Sequence, residues 1–141
     1  MKMALSKAKE ILESGGYTCV LTDGTEVYTS TFRGVNPLVQ FLKSEMIPWG
    51  FFAADKVVGK ATAYLYVMLG VCEIYAQILS EPAEEVLKAH GIYVQYETLV
   101  PNIINRRGDG ICPFEAAVMG IDDPEKAYDA ILQKMHEMNI T

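Results

Sequence analysis

Between Phe51 and Val100 the chain alternates runs suited to β-strands with segments of helical length, and this alternation constrains the fold more than any other feature. Phe51-Phe52-Ala53-Ala54 and Val71-Cys72-Glu73-Ile74-Tyr75-Ala76-Gln77-Ile78-Leu79 are apolar enough for strands covered on both faces. Gly59 to Leu69 between them is nearly all apolar and long enough for a helix. Glu84 to His90 then supplies another helix and Ile92 to Val100 another strand. Strand, helix and strand in that order make a crossover, so the core of the sheet is expected to be parallel.

The flanking segments complete the outline. Lys2 to Ser14 spaces Met3, Leu5, Ala8, Ile11 and Leu12 along one helical face and stops at Ser14-Gly15-Gly16. Tyr17–Leu21 and Glu26–Thr31 are rich in β-branched and aromatic residues, and Asp23-Gly24 between them predicts a tight hairpin turn. Asn36-Pro37 reads as a cap and first helical residue, with a helix running through Leu42 and ending before Pro48. A turn-rich loop, Asn105 to Gly110, leads to a short helix from Pro113, and Asp123-Pro124 opens a last amphipathic helix carrying Ala127, Ile131, Leu132 and Met135. The expected fold is one α/β domain over residues 1–141: a three-layer α/β/α sandwich whose mixed sheet joins an N-terminal antiparallel hairpin to parallel strands.

Composition narrows the partners. A net charge of −6 repels polyanions, so no nucleic acid is expected. Half the residues are apolar but lie in short runs, none long enough to span a bilayer, and no membrane partner is expected. Charges interrupt the first ten residues, which therefore lack the apolar core of a signal peptide. Cys19, Cys72 and Cys112 are an odd number without framework spacing and read as free thiols in a reducing compartment. A cytoplasmic protein is expected, with homo-oligomerisation open.

The element order resembles the cytidine-deaminase-like fold, in which a hairpin precedes two strand-to-helix junctions that form the active site. In zinc deaminases the second junction carries Pro-Cys-x-x-Cys. Here it reads Ser80-Glu81-Pro82-Ala83-Glu84-Glu85-Val86, with Ala83 and Val86 where the thiolates would stand. The first junction of those enzymes offers His or Cys and, two residues on, a catalytic Glu; Asp55-Lys56-Val57-Val58-Gly59-Lys60-Ala61-Thr62-Ala63 supplies no such set. A catalytic zinc needs three protein ligands beside its water, and deamination needs the carboxylic acid as well. No metal and no cofactor is expected. His90 and His136 fall near helix ends, where the dipole favours a cation. Gly34-Val35-Asn36-Pro37-Leu38, Ala54-Asp55-Lys56-Val57-Val58-Gly59-Lys60-Ala61, Ser80-Glu81-Pro82 and Asp109-Gly110-Ile111-Cys112-Pro113 together resemble the DUF1893 family. That resemblance implies a deaminase-like fold without the zinc motif and a pocket position, but no reaction.

Candidate site residues cluster at the junctions. Asp55, Lys56, Gly59 and Lys60 precede a helix whose free N–H groups attract phosphate or carboxylate. The segment is not a Walker loop, since Ala54 and Ala61 replace its first glycine and its magnesium-binding hydroxyl. Ser80 and Glu81 either face the same crevice or cap the helix that begins at Pro82. Cys112-Pro113-Phe114-Glu115 resembles a capping box with a thiol at the cap, and Arg106 sits in a glycine-containing loop where it can grip a phosphate. Tyr64, Tyr66 and Met68 read as core. The leading expectation is a protein that binds an anionic, nucleotide-like small molecule, or a zinc-independent enzyme. The competing one is a non-catalytic interaction module.

Overall fold

The structure, a computed structural model, describes residues 2–31, 34–44, 50–105 and 107–140, the side chains of residues 2–4 excepted. Helix α1 (Lys2–Gly15) leads into strands β1 (Cys19–Thr22) and β2 (Val27–Ser30), then helix α2 (Asn36–Lys43). Strand β3 (Phe52–Val58), helix α3 (Lys60–Leu69), strand β4 (Glu73–Ser80), helix α4 (Glu81–Ala89) and strand β5 (Tyr93–Val100) follow without long connections. Helices α5 (Pro113–Ala117) and α6 (Pro124–Glu137) close the chain. The five strands form one sheet in the order β2-β1-β3-β4-β5, with β1 antiparallel to both its neighbours and β3, β4 and β5 mutually parallel. The molecule is a mixed α/β protein whose five-stranded sheet is flanked by helices.

The two faces of the sheet are separated by strand alternation. Val20, Phe52, Ala54 and Tyr75 pack with Leu5, Ala8 and Leu12 of α1. Their neighbours Leu21, Ala53, Ile74 and Ala76 point the other way, into a larger core with α2 to α6. Helix α3 is apolar on nearly every side because it is enclosed on nearly every side: Ala61 to Tyr66 and Leu69 are all buried, and α2, α4 and α6 pack around it. Among the described residues, no helix is long and apolar enough to cross a membrane.

Several boundaries differ from the sequence reading for physical reasons. The β1–β2 connection is four residues, Asp23 to Glu26, not a two-residue turn, since Thr22 pairs with Val27. The Asp23 carboxylate accepts the N–H groups of Thr25 and Glu26, each at 2.8 Å, and Thr22 Oγ1 accepts Gly24 N–H at 3.0 Å, so side chains shape the turn. Asn36 does not cap α2. Val35 holds the cap position without a side-chain bond, while Asn36 Oδ1 accepts from Gln40 Nε2 at 3.1 Å. Pro48 lies outside the described residues. Helix α4 starts three residues earlier than Glu84, because Ser80 caps it directly at the end of β4.

The most consequential shift concerns β3. Asp55 to Val58 lie beyond the strand expected at Phe51 to Ala54, at the junction before α3, but they continue that strand: Asp55, Val57 and Val58 pair with Ala76, Ile78 and Leu79, and Lys56 N–H donates to Thr18 O at 3.1 Å. The strand also changes phase there. Asp55 and Val58 both face α3 although three residues apart, and Val57 is left 40% exposed, where strict alternation would bury it beside Asp55. Strand β4 does the same between Ala76 and Leu79. The register with the neighbouring strand is unchanged across this stretch; alternation from Ala53 directs the Asp55 carboxyl beneath α3, and the change of phase beyond it brings Val58 to the same side.

Candidate functional site

Beyond the carboxyl end of β3 lies a cavity of about 410 Å³, within the size range of small-molecule pockets. Its floor is Thr18 and Cys19 at the start of β1 with Asp55, Lys56 and Val57 of β3. One wall is the entry to α2 (Gly34, Val35, Pro37 and Leu38), and another is the first turn of α3 with Gly59, Ala61 and Thr62. The chain after β5 folds back to supply the rest, Ile103, Ile104, Cys112, Phe114 and Glu115. That return is fixed locally. Asn105 Oδ1 accepts the N–H groups of Gly108 at 2.9 Å and Asp109 at 3.2 Å, Ile104 bridges Ile111, and Cys112 N–H donates to Ile103 O at 2.9 Å.

Asp55 is the central polar group, 9% exposed. Tyr66 of α3 donates its hydroxyl proton to Asp55 Oδ2 at 2.7 Å, and Val57 N–H donates to Oδ1 at 3.2 Å. The Tyr66 oxygen lies 3.2 Å from Cys19 Sγ. With the tyrosine proton given to Asp55, the thiol proton points to Tyr66, and the three groups form a chain from Cys19 through Tyr66 to Asp55. Burial raises the Asp55 carboxyl to about 7, against the lowering effect of its hydrogen bonds from Tyr66 and Val57 and of the nearby Lys56 N–H, which is itself bonded to Thr18 O. Burial, with the charge of Asp55 behind it, pushes the Cys19 thiol far above its usual range and holds it protonated. Cys19 is therefore a donor and a packing group, not a nucleophile.

A second carboxyl group closes the site. Glu115, 7% exposed, does not reach back to cap its own helix; Oε2 accepts Ala61 N–H at 3.1 Å, at the start of α3. Gly59, the α3 cap, has no side chain for that task, and a Cβ there would stand 2.5 Å from Glu115 Cδ. Its φ of −98° suits any residue, so glycine is needed for space alone. The close approach that glycine permits is made by the protein's own carboxylate. The α3 N-terminus, expected to receive an anion, already faces one.

The sequence-predicted residues divide accordingly. Asp55, Lys56, Gly59 and Cys112 come together around the cavity, Lys56 exposed and Cys112 half-buried at the cap of α5. Lys60 turns along α3, its ammonium 5.9 Å from the Tyr64 ring, and does not line the cavity. Ser80 is fully buried and accepts Ala83 N–H at 3.2 Å, which is the capping alternative, and Glu81 stands exposed in the first turn of α4. Arg106 lies outside the described residues. Ala83 and Val86 are buried in the larger core, and among the described residues no three His, Cys, Asp or Glu side chains are grouped to hold a metal ion. His90 ends α4 with Nδ1 2.9 Å from Val86 O. Glu115, Tyr66 and Cys19 were missed as site residues. Only Glu115 left a usable signal, a charge inside the apolar run Phe114 to Val118.

Fold and site together define a mixed α/β protein with an acid-lined cavity at the junction of β3 and α3. The chain belongs to the DUF1893 family: the profile of that family, described as a domain of unknown function, matches residues 7–135. It is similar to the crystal structure of a DUF1893 family protein from Thermotoga maritima, with 28% sequence identity and a TM-score of 0.87 over 95% of this chain and 91% of that one. No curated protein matches it.

Proposed function

We propose that this protein binds a small molecule, or acts on one without zinc, in the cavity between β3 and α3 of a cytidine-deaminase-like scaffold. The observation that carries the reading is the cavity itself, with the buried carboxyl of Asp55 on its floor. The scaffold assignment is supported by the strand order, which sets antiparallel β1 beside three parallel strands, and by the adjacent β3–α3 and β4–α4 junctions. Two buried carboxyl groups, Asp55 on the floor and Glu115 on the wall, outweigh the single solvent-exposed lysine at the rim and favour a neutral or cationic ligand over the anion expected from the sequence. Three free thiols suit a reducing compartment, so the cytoplasm is the proposed place of action. A fragment screen by two-dimensional NMR tests the reading. Saturable shifts centred on Cys19, Asp55, Gly59 and Phe114 support it, and binding confined to other surfaces overturns it.

A second reading follows from β5. This edge strand is eight residues long, carries a single charged residue, Glu97, and neither Lys nor Pro, and leaves Tyr93, Tyr96 and Leu99 exposed. Edges are ordinarily blunted by charge, proline or brevity. We propose that a second copy pairs along it, joining two sheets. Light scattering on the wild type and Tyr96→Lys decides: a dimer that becomes monomeric in the variant supports pairing, and a monomeric wild type removes it.

A further inference from the structure

Asp55 is a buried carboxyl group with spare hydrogen-bonding capacity and no cationic partner among the described residues. Neither of the two ion pairs seen, Lys88 with Glu84 and Lys134 with Glu137, involves it. Each of its oxygens takes one donor from the protein, Tyr66 on Oδ2 and Val57 on Oδ1. A carboxylate accepts about four hydrogen bonds, so a lone pair remains on each oxygen of a group that forms part of the cavity floor. The second acid, Glu115, is held by Ala61 N–H at the start of α3 and adds negative potential without competing for a donor on Asp55. The lining also includes Val35, Leu38, Ile103 and Phe114, apolar side chains against which a flat group can pack.

We propose that the cavity selects a planar cation of the amidinium or guanidinium class, whose parallel N–H groups engage both oxygens of Asp55. The inference rests on the small-molecule reading above. Two parallel N–H donors match a carboxylate edge in a way that a single ammonium does not, and a charge-assisted pair is about twice as strong as a neutral one. A cation also relieves the unfavourable burial of an unpaired charge, which an anionic ligand would aggravate. Recognition requires Asp55 to be ionised. With its carboxyl near 7, affinity rises about tenfold from pH 6 to pH 8. The groups facing Asp55 are Cys19 from β1, Tyr66 from α3, Lys56 on its own strand, and Cys112 and Glu115 across the cavity; of the acids, Glu115→Gln separates the contribution of that residue.

The probes are benzamidine, its neutral isostere benzamide, and benzoate, titrated calorimetrically against the wild type, Asp55→Asn and Glu115→Gln at pH 6 and pH 8. The expected result is benzamidine binding at least tenfold tighter than benzamide at pH 8, benzoate weakest, and a pH step that survives in Glu115→Gln and vanishes in Asp55→Asn. Benzamide binding as tightly as benzamidine, or benzamidine affinity unchanged in Asp55→Asn, overturns the cation class while leaving the cavity a binding site. Benzoate binding tightest overturns it in favour of an anion. No binding by any probe also overturns it, and the fragment screen then decides separately whether the cavity binds anything. Should Asp55→Asn fail to fold, the wild-type pH profile and the benzamidine-to-benzamide ratio still decide.

Discussion

At the scale of single residues, the site is a set of polar side chains arranged by what their neighbours lack. Gly59 has no Cβ, and into that space Glu115 brings its carboxylate to the first turn of α3. Gly59→Ala forces the carboxylate away, an overpacking change expected to destabilise by about 1–3 kcal/mol. If Glu115 is the cause, the penalty must shrink when Glu115 is already Ala, giving a coupling of about 1 kcal/mol or more between the two positions. Urea unfolding of the wild type, both single variants and the double variant measures this, and an equal Gly59→Ala penalty in both backgrounds would remove the steric account. Tyr66 shows the opposite difficulty. Its place in an apolar helix correctly marks it as core, yet a buried tyrosine hydroxyl also needs a partner, and Asp55 is found only by folding β3 against α3. Periodicity reports which face of a helix is buried but carries nothing about which strand residue lies under it.

Among elements, the order of helices and strands was legible because each carries its own local pattern, whereas the edges were set by tertiary pairing. The residues Asp55 to Val58 look like a turn because a charge pair interrupts the apolar run, but pairing with β4 keeps them extended. The exposed half of β5 has a similar origin: α1 packs on β1, β3 and the near part of β4, so β5 lies beyond its reach. The cavity was legible on its β3–α3 side and at Cys112, whereas the rest of its lining depends on how the entry to α2 and the return of residues 103–115 pack against β3, which no local pattern announces. The start of α4 was legible in part: Ser80 or Glu81 followed by Pro82 signals a cap, but the helical pattern was read only from Glu84, three residues after the helix begins. Ser80→Ala removes the acceptor for Ala83 N–H and should lower stability by about 1 kcal/mol with ligand affinity unchanged. Unfolding midpoints paired with probe titration test it, and a loss of binding at unchanged stability would return Ser80 to the site.

For the molecule as a whole, the buried carboxyl of Asp55 makes stability a function of pH. Its folded-state value of about 7 lies above the ordinary 3.8, so between these values the folded protein holds a proton that the unfolded chain releases. The contribution is fully present below the unfolded value and is lost as pH rises through the folded one. At roughly 1.4 kcal/mol per unit, the window corresponds to about 4 kcal/mol, a large share of the 5–15 kcal/mol typical of a domain. Asp23 and Glu137 act in the opposite direction. Backbone N–H groups of Thr25 and Glu26 lower the first, and Lys134 and Gln133 lower the second, so their contributions are present above the unfolded values and lost in acid. Both are fully exposed and screened, and neither reaches the neutral range. Asp55→Asn keeps a neutral group of the same shape and should unfold with little pH dependence between 5 and 8, leaving the variant more stable than the wild type at pH 8 by a margin that narrows steadily toward pH 5 and closes only near the unfolded value. Benzamidine should restore stability to the wild type at pH 8 and do little for the variant, because the same ionised group that weakens the empty protein binds the cation. Urea midpoints for both proteins across that range, with and without benzamidine, provide the measurement. Parallel pH profiles for the two proteins would show that Asp55 is not the titrating group.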